Sequence, residues 1–178
     1  MKILIASDIH GSQYYAKKLV DRFNAEKADK MVLLGDIYNH GPRNPFPKDY
    51  NPMGVAAILN SIKDKLIVVK GNCDSEVDQM ISEFTFVESA QLYVDGKVIT
   101  CTHGHKLNKD NMDTSVGNVL AYGHFHTNFM ERVNGVLVVN PGSVSLPKEN
   151  SVSGYLLLFN NNMIQYNIEG DLIQQETI

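Results

Sequence analysis

Several kinds of residue are scarce in this chain of 178 residues, and their scarcity excludes several classes of protein. The chain has no tryptophan and 2 cysteines, Cys73 and Cys101, which are too few for a disulfide framework and match no zinc motif. No stretch approaches the ~20 apolar residues of a membrane helix, and the N-terminal apolar run is too short for the core of a signal peptide. We therefore expect a reduced, cytoplasmic protein without a membrane segment.

Basic residues are also in the minority. The chain has 16 Lys and Arg against 20 Asp and Glu, a formal net charge of -4, and no dense basic run. A protein that binds duplex nucleic acid normally carries a basic patch, so nucleic acid is not the expected partner. Hydrophobic residues make up 43% and charged residues 20%, as in ordinary globular proteins. The length and the absence of a linker favour one domain over residues 1–178.

The first 70 residues alternate between buried strands and amphipathic helices. Each strand is a short Ile-, Leu- or Val-rich run, and each helix has apolar residues at i, i+3, i+4 and i+7. This order predicts right-handed crossovers and a mostly parallel sheet. The predicted elements are a strand at Lys2–Ser7, a helix at Ser12–Lys27, a strand at Lys30–Leu34, a helix bearing Val55, Ile58, Leu59 and Ile62, and a strand at Leu66–Lys70.

The remaining residues favour strands joined by short turns. Asp95-Gly96 and Asn134-Gly135 are strong signals for two-residue hairpins, and the run at Asn160–Asn162 is a third turn. The simplest architecture is an α/β fold of two sheets packed face to face, with helices covering the first. The predicted strands are Gln91–Val94, Lys97–Thr102, Val119–Tyr122, Phe129–Val133, Val136–Val139, Tyr155–Phe159 and Met163–Ile168.

Polar motifs stand where five of the apolar strands end. In an open α/β sheet, ligands bind beyond the carboxyl ends of the strands, so we expect these motifs to converge. A glycine in each motif suits a tight turn and a close approach of the backbone to a ligand. The motifs are Asp8-Ile9-His10-Gly11, Gly35-Asp36, Gly71-Asn72-Cys73-Asp74, His103-Gly104-His105 and Gly123-His124-Phe125-His126.

These motifs supply carboxylate, imidazole and amide-oxygen ligands. That mixture suits Mn, Fe, Zn, Co or Ni. Alternate side chains such as Asp8 and His10 point to the same side and can bind one ion or two adjacent ions. A lone histidine is usually an ordinary surface or core residue. Here, however, all 6 histidines lie in or near the motif loops, and none falls within the two predicted helices. The clustering predicts a metal site.

The five motifs, in this order, resemble those of the calcineurin-like metallophosphoesterase superfamily. The Gly-Asn-Cys-Asp motif, the small size and Asn140-Pro141-Gly142-Ser143 resemble its YfcE-type phosphodiesterase subgroup. The resemblance covers residues 8 to about 143 of the chain. It implies a four-layer α/β-β/α sandwich, which agrees with the elements predicted from the residues.

The resemblance also implies a ligand set for two divalent ions, most often Mn²⁺. By motif position, Asp8, His10, Asp36 and His126 would hold one ion. Asp36, Asn72, His103 and His124 would hold the other, so that Asp36 bridges the two. His105 remains an alternative to His103, because the two flank the same glycine.

The implied reaction is hydrolysis of a small phosphodiester by a hydroxide that bridges the two ions. Many members of the superfamily carry a histidine after the motif asparagine, where this chain has Cys73. A thiol is a poor substitute for an imidazolium as a proton donor, so we expect a preference for good leaving groups or another acid.

Three further residues near the motifs are candidates for the site. His40 and Arg43 lie in the loop after Asp36 and are candidates to contact phosphate, or they are simply solvated. Asp74 is a candidate to orient a metal-bound histidine, or it caps the helix that would begin near Ser75.

Three other functions stay open from the sequence. A phosphomonoesterase of the same fold is the nearest rival, and a nuclease of the same superfamily is disfavoured by the acidic balance of charge. A non-catalytic interaction scaffold with a retained metal site is the rival from another class, although every expected ligand position is filled. A homo-oligomer is possible through exposed hairpin edges.

Overall fold

The computed structural model describes the backbone of residues 1–178 and the side chains of all of them except Thr114. Three α-helices are present, α1 Gln13–Ala25, α2 Pro52–Asn60 and α3 Glu76–Ile81, with 3-10 turns at Lys63–Lys65 and Thr114–Val116. The strands are β1 Ile3–Ala6, β2 Lys30–Leu33, β3 Leu66–Val69, β4 Phe86–Val87, β5 Ala90–Val94, β6 Lys97–Thr102, β7 Val119–Tyr122, β8 Asn128–Val133, β9 Val136–Pro141, β10 Gly154–Phe159, β11 Asn162–Asn167 and β12 Leu172–Thr177.

The first sheet has seven strands in the order β12-β11-β10-β1-β2-β3-β4. Strand β1 pairs in parallel with β2, and β2 with β3, while β10 joins β1 antiparallel. The predicted parallel core of the first sheet is therefore confirmed. Since β1, β2 and β3 run in one direction, the loops that follow them leave the sheet at the same edge.

The second sheet has five strands in the order β5-β6-β7-β9-β8. Strands β6, β7 and β9 are parallel, and hairpins add β5 and β8 at the two edges. Both predicted two-residue turns have positive φ at each central residue, 49° and 77° at Asp95-Gly96 and 51° and 84° at Asn134-Gly135. Such angles define the type I′ turn that fits the twist of a hairpin.

Alternate residues of β1 show how the chain divides its apolar surface. Ile3 and Ile5 pack against the second sheet, whereas Leu4 and Ala6 pack under the helices. Successive side chains of a strand point to opposite faces, so a strand that is buried on both sides must be apolar throughout. The two sheets therefore lie face to face, as predicted.

Capping residues in the sequence determine where the two long helices begin. Ser12 caps α1 by accepting from the backbone N–H of Tyr15, and Asn51 caps α2 ahead of a proline at its first turn. Both helices cover the outer face of the first sheet through residues such as Leu19 and Leu59. None of the helices that the structure describes is long and apolar enough to cross a membrane.

The outer face of the second sheet is covered differently from the first. Leu107, Met112 and Val116 pack on Leu120 and Val138, so a segment with a 3-10 turn forms this layer where an α-helix was expected. The two mixed sheets with helical flanks confirm the α/β sandwich, with fewer helices than the four-layer expectation implies. Strands β4 and β12 were not predicted from the sequence, whereas α3 begins next to Ser75, where a helix had been considered.

Candidate metal centre

The loops after β1, β2, β3, β6 and β7 meet at one edge of the sandwich. Backbone hydrogen bonds join them in pairs, from Asp8 N to Gly35 O at 3.0 Å and from Gly123 N to His103 O at 3.0 Å. The loops also bond across the two sheets, since His124 N donates to Asp8 Oδ2 at 2.9 Å. The convergence expected for the five motifs is therefore present in the structure.

The backbone at this edge has an unusual conformation. Non-glycine residues with positive φ are uncommon, and they cluster at functional sites. Five of the candidate ligands adopt such angles, which turn the side chains sharply inward at the strand ends: Asp8 at 58°, His10 at 50°, Asp36 at 55°, His124 at 66° and His126 at 63°.

Glycines permit this close approach of the loops. A Cβ added at Gly123 would overlap Ser7 Oγ and the Asp8 carboxylate, and one added at Gly71 would overlap Asp36. The two glycines are therefore required because another chain segment, bearing a candidate ligand, fills the space that a side chain would occupy.

One group of candidate ligands consists of Asp8, His10 and His126, all buried. Nε2 of His10 lies 3.0 Å from Nε2 of His126, and the two atoms lie 3.4 and 3.2 Å from Asp8 Oδ1. The Nδ1 atoms lie 2.7 Å from the backbone oxygens of Asn39 and Leu146, respectively. A carbonyl oxygen only accepts hydrogen bonds, so each Nδ1 carries the proton and each neutral ring turns the lone pair of Nε2 towards the carboxylate.

A second group surrounds Asp36. Nε2 of His103 lies 3.4 Å from Asp36 Oδ2, 3.0 Å from Asn72 Oδ1 and 3.3 Å from Nδ1 of His124. Nδ1 of His103 donates to Leu34 O at 2.7 Å, so its Nε2 also presents a lone pair in the neutral ring. Asp36 Oδ2 lies 3.7 Å from His10 Nε2 as well, which puts this carboxylate between the two groups.

This arrangement fits divalent cations. Electron-pair donors face one another at hydrogen-bond distance with no hydrogen between them when the histidines are neutral, and a cation relieves that repulsion. Among the described side chains, Asp8 Oδ1 is a buried oxygen without a hydrogen-bond partner. Oxygen and imidazole ligands without a required thiolate suit Mn, Fe, Zn, Co or Ni.

The pKa values of the same residues show that the site attracts positive charge. Burial opposes ionisation of Asp8, but the imidazoles of His10 and His126 lower the pKa of its carboxyl well below the usual range. Burial likewise disfavours a charged His103, yet the Asp36 carboxylate raises the pKa of that imidazole to about 9. Two buried carboxylates thus create a negative potential that protons or metal ions can neutralise.

Asp74 holds the loops that carry two candidate ligands. Its Oδ2 accepts from the backbone N–H of Asp36 at 2.8 Å and of Gly71 at 2.7 Å, and its Oδ1 accepts from Ile37 N–H at 2.8 Å. Burial raises the pKa of its carboxyl to about 6 in spite of these donors. Among the described residues, Asp74 makes no hydrogen bond to a histidine ring, and the N-cap of α3 is Ser75, so neither role considered from the sequence matches its contacts.

The remaining candidates occupy different places. Cys73 lies beside Asp36 and His10, and burial together with Asp36 raises the pKa of its thiol to about 12. His105 is exposed, and its ring lies 5.3 Å from that of His103. It is Nε2 of His103 that lies within the ligand cluster. His40 packs its ring against Phe46 at 4.4 Å and does not line the cleft.

A cleft of 610 Å³ opens above the candidate ligands. Sequence reasoning missed Lys148 as part of its lining, because no local pattern shows that its loop reaches this edge, and it gave no role to Phe125 within the last motif. It also gave no role to Ser143, whose hydroxyl donates to Asp8 O at 2.6 Å. The lining residues are Asp36, Asn39, Gly41, Pro42, Arg43, Asn44, Asn72, Cys73, His124, Phe125, His126 and Lys148.

The sandwich and its ligand cluster define a metallophosphoesterase, and comparison with known proteins agrees. Residues 1–162 match the model of the calcineurin-like phosphoesterase superfamily domain, and the chain belongs to that family. The expected family and fold are therefore confirmed.

Individual relatives place the chain within the family more closely. It is 40% identical to the phosphodiesterase YfcE of Escherichia coli K12, over 90% of this chain and 89% of the relative. The solved structure of YfcE, a phosphoesterase from E. coli, superposes with a TM-score of 0.96 at 37% identity and covers 100% of both chains. The probable metallophosphoesterase YsnB of Bacillus subtilis is 30% identical over 89% of this chain and 83% of its own.

Proposed function

We propose that this protein is a phosphodiesterase that hydrolyses small phosphodiesters with two divalent metal ions, Mn²⁺ being the favoured metal. The observation that carries the proposal is the position of Asp36, whose Oδ2 lies 3.4 Å from Nε2 of His103 and 3.7 Å from Nε2 of His10. One carboxylate between two groups of ligands suits a pair of ions better than a single ion. The name of the E. coli relative, a phosphodiesterase, supports the diester as the substrate class.

Each ion has its own set of proposed ligands. Asp8, His10, Asp36 and His126 hold the first, while Asp36, Asn72, His103 and His124 hold the second. The tautomers favour these roles, since the Nδ1 protons of His10, His126 and His103 are bound to backbone carbonyls. His103 is preferred to the exposed His105, because its Nε2 faces both Asp36 and Asn72.

Two ions bound here would polarise the phosphoryl oxygens and lower the pKa of a water molecule, so that hydroxide is available near neutral pH. The side chains of the protein set the geometry: Asp74 and the backbone N–H of Cys73, which donates to Asp36 Oδ1 at 2.8 Å, hold Asp36 in place. A thiol is a weak hydrogen-bond donor and a poor substitute for an imidazolium, so Cys73 is a poor group to protonate a leaving oxygen. The proposed enzyme therefore favours esters with good leaving groups.

The wider setting of the protein is proposed from the same observations. We place a one-domain enzyme in the cytoplasm, where its two free cysteines stay reduced. The net charge of -4 disfavours nucleic acid as the substrate. Strand β12 lies at the edge of the first sheet, and an edge strand can pair with a second copy of the chain in a homo-oligomer.

The test uses metal-stripped protein with bis(p-nitrophenyl) phosphate and p-nitrophenyl phosphate, each with and without Mn²⁺. We expect cleavage of the diester that depends on Mn²⁺. Replacing Asp36→Asn should abolish that activity and weaken Mn²⁺ binding, since a neutral amide is a poor bridge between two cations. Asp64→Asn is the control, because it removes an exposed carboxylate remote from the ligand cluster.

Other results would point to the rival functions. Preference for the monoester would keep the metal chemistry and change the substrate class. Stoichiometric metal binding without turnover of either ester would favour the interaction scaffold.

A further inference from the structure

Two cationic side chains, Arg43 and Lys148, line the cleft above the candidate ligands. Both residues are exposed, so their charged groups can meet a bound molecule. They come from distant parts of the chain, and the fold alone brings them to one cleft. The inference drawn from them rests on the proposed phosphodiesterase function.

Arg43 stands at the corner of a short turn that is tied to the ligand cluster. Asn44 N donates to Gly41 O at 3.2 Å, which closes a four-residue turn with Pro42 and Arg43 at its centre. Asn39, just before this turn, accepts from Gly41 N through its side chain at 2.8 Å. The backbone oxygen of Asn39 in turn receives Nδ1 of His10 at 2.7 Å.

Lys148 is tied to the same end of the cluster. Its backbone N–H donates to His126 O at 3.0 Å. Nδ1 of His126 donates to Leu146 O at 2.7 Å, so the segment that carries Lys148 is bonded on both sides of this histidine. Arg43 and Lys148 therefore lie on the two segments whose backbone oxygens orient His10 and His126.

Neither cation has a carboxylate partner among the described residues. Other lysines of the chain do form ion pairs, including Lys106 with Glu88 at 3.0 Å and Lys109 with Glu131 at 2.8 Å. Among the described residues, Asp36 is the one acidic residue that lines the cleft, and its Oδ2 faces His103 and His10 within the cluster. Two unpaired positive charges thus face one cleft in a protein whose net charge is -4.

These charges exceed what a simple diester requires. A phosphodiester carries one negative charge, which the ions held by the proposed ligands would neutralise, whereas a terminal phosphate group carries about two negative charges near pH 7. A cleft of 610 Å³ also has room for more than the scissile group, since pockets for small ligands span roughly 300–1,000 Å³. We propose that the natural substrate is a phosphodiester that carries a second phosphate on one of its ester arms, and that Arg43 and Lys148 bind this second phosphate.

The rival interpretation is that both cations bind the scissile phosphate itself. The two interpretations differ in how the cations affect selectivity. A contact with the scissile phosphate promotes the cleavage of every diester, whereas a contact with a second phosphate promotes only substrates that have one.

Two chromogenic substrates that differ by one group separate these interpretations. They are the p-nitrophenyl ester of thymidine 5′-phosphate and the same ester with a further phosphate on the 3′-oxygen. Their leaving group and scissile bond are identical. With Mn²⁺-loaded protein, we expect kcat/KM to be about tenfold higher for the 3′-phosphorylated ester, because two exposed charge-assisted contacts act together on the added phosphate.

The double variant Arg43→Gln/Lys148→Gln should bring the ratio of the two kcat/KM values close to one. The control Lys17→Gln/Lys97→Gln removes the same charge outside the cleft and should keep the ratio of the unmodified protein. Binding gives a second measurement: by calorimetry, thymidine 3′,5′-bisphosphate should bind about tenfold more tightly than thymidine 5′-phosphate, and only the cleft variant should lose the difference.

Three results would overturn the inference. An equal fall of both kcat/KM values in the cleft variant, with the ratio unchanged, would assign the cations to the scissile phosphate. Turnover of both esters by the unmodified protein with a ratio near one would retain the phosphodiesterase and refute the second phosphate. Turnover of neither ester with Mn²⁺ would refute both the phosphodiesterase and the inference.

Discussion

Ser143 offers a direct test of how the structure holds its candidate ligands, because it is not itself one of the proposed ligands. Its side chain is fully buried, and its hydroxyl donates to Asp8 O at 2.6 Å. The same Oγ accepts from Leu146 N–H at 2.8 Å and from Ser145 N–H at 3.2 Å. Asp8 is a proposed ligand, and Leu146 O fixes the tautomer of His126, so one hydroxyl supports two ligands.

Replacing Ser143→Ala should lower both stability and metal affinity. Losing the bond to Asp8 O costs about 1 kcal/mol, and the buried N–H of Ser145 without an acceptor costs about 1–3 kcal/mol more. The sum, about 2–4 kcal/mol, corresponds to a fall in melting temperature of roughly 5–15 °C for a domain of this size. Loss of a group that orients ligands typically weakens metal binding about 10–100-fold.

The assay is thermal unfolding of metal-free protein together with calorimetric titration of Mn²⁺. Ser145→Ala is the matched control, since its hydroxyl makes only a long bond of 3.2 Å to Asp8 O. We expect that control to lose less than about 1 kcal/mol. Unchanged Mn²⁺ affinity in Ser143→Ala, or equal losses in the two variants, would refute the positioning role of Ser143.

Two further predictions concern the thiol and the metal. Replacing Cys73→His should speed the hydrolysis of diesters with poor leaving groups more than of those with good ones, because an imidazolium is a better proton donor than this thiol; equal effects across a series of aryl and alkyl diesters would contradict this. Removing metal with a chelator should lower the melting temperature, and Mn²⁺ at 100 times its Kd should restore about 2.7 kcal/mol, or roughly 5–11 °C. Scanning calorimetry at several Mn²⁺ concentrations checks this. A melting temperature that does not change with Mn²⁺ concentration would count against a metal site in the folded protein.

The sequence predicts most of the central strands but not the elements at the periphery. Strands β1 and β3 are apolar throughout, and β2 is apolar after Lys30, since the sheet is covered on both faces; this composition is visible without a structure. Strand β12 is mostly exposed and rich in Gln and Glu, so only its pairing with β11 defines it. Helix α3 has only six residues, none of them buried, so its apolar pattern is too short to define a helix from the sequence alone.

The residues of the candidate site likewise divide into those that the sequence predicts and those that it does not. Side chains that follow a strand, such as Asp36 and Asn72, can be predicted because parallel strands end at one edge. Lys148 could not be predicted, since its place depends on a loop that returns to His126 from beyond β9. The contacts of Asp74 were equally hidden, because a sequence does not show which backbone N–H groups a buried carboxylate will face.

The two sheets orient one another's candidate ligands, which links the site to the packing of the fold. His103, which follows β6 of the second sheet, is fixed by Leu34 O of the first sheet at 2.7 Å. His124, which follows β7, is bonded through its N–H to Asp8 Oδ2 of the first sheet at 2.9 Å. A shift of one sheet against the other would break both bonds and separate Asp36 from His103. The apolar cluster between the sheets, which includes Ile5 and Val139, therefore keeps the candidate ligands in register as well as stabilising the core.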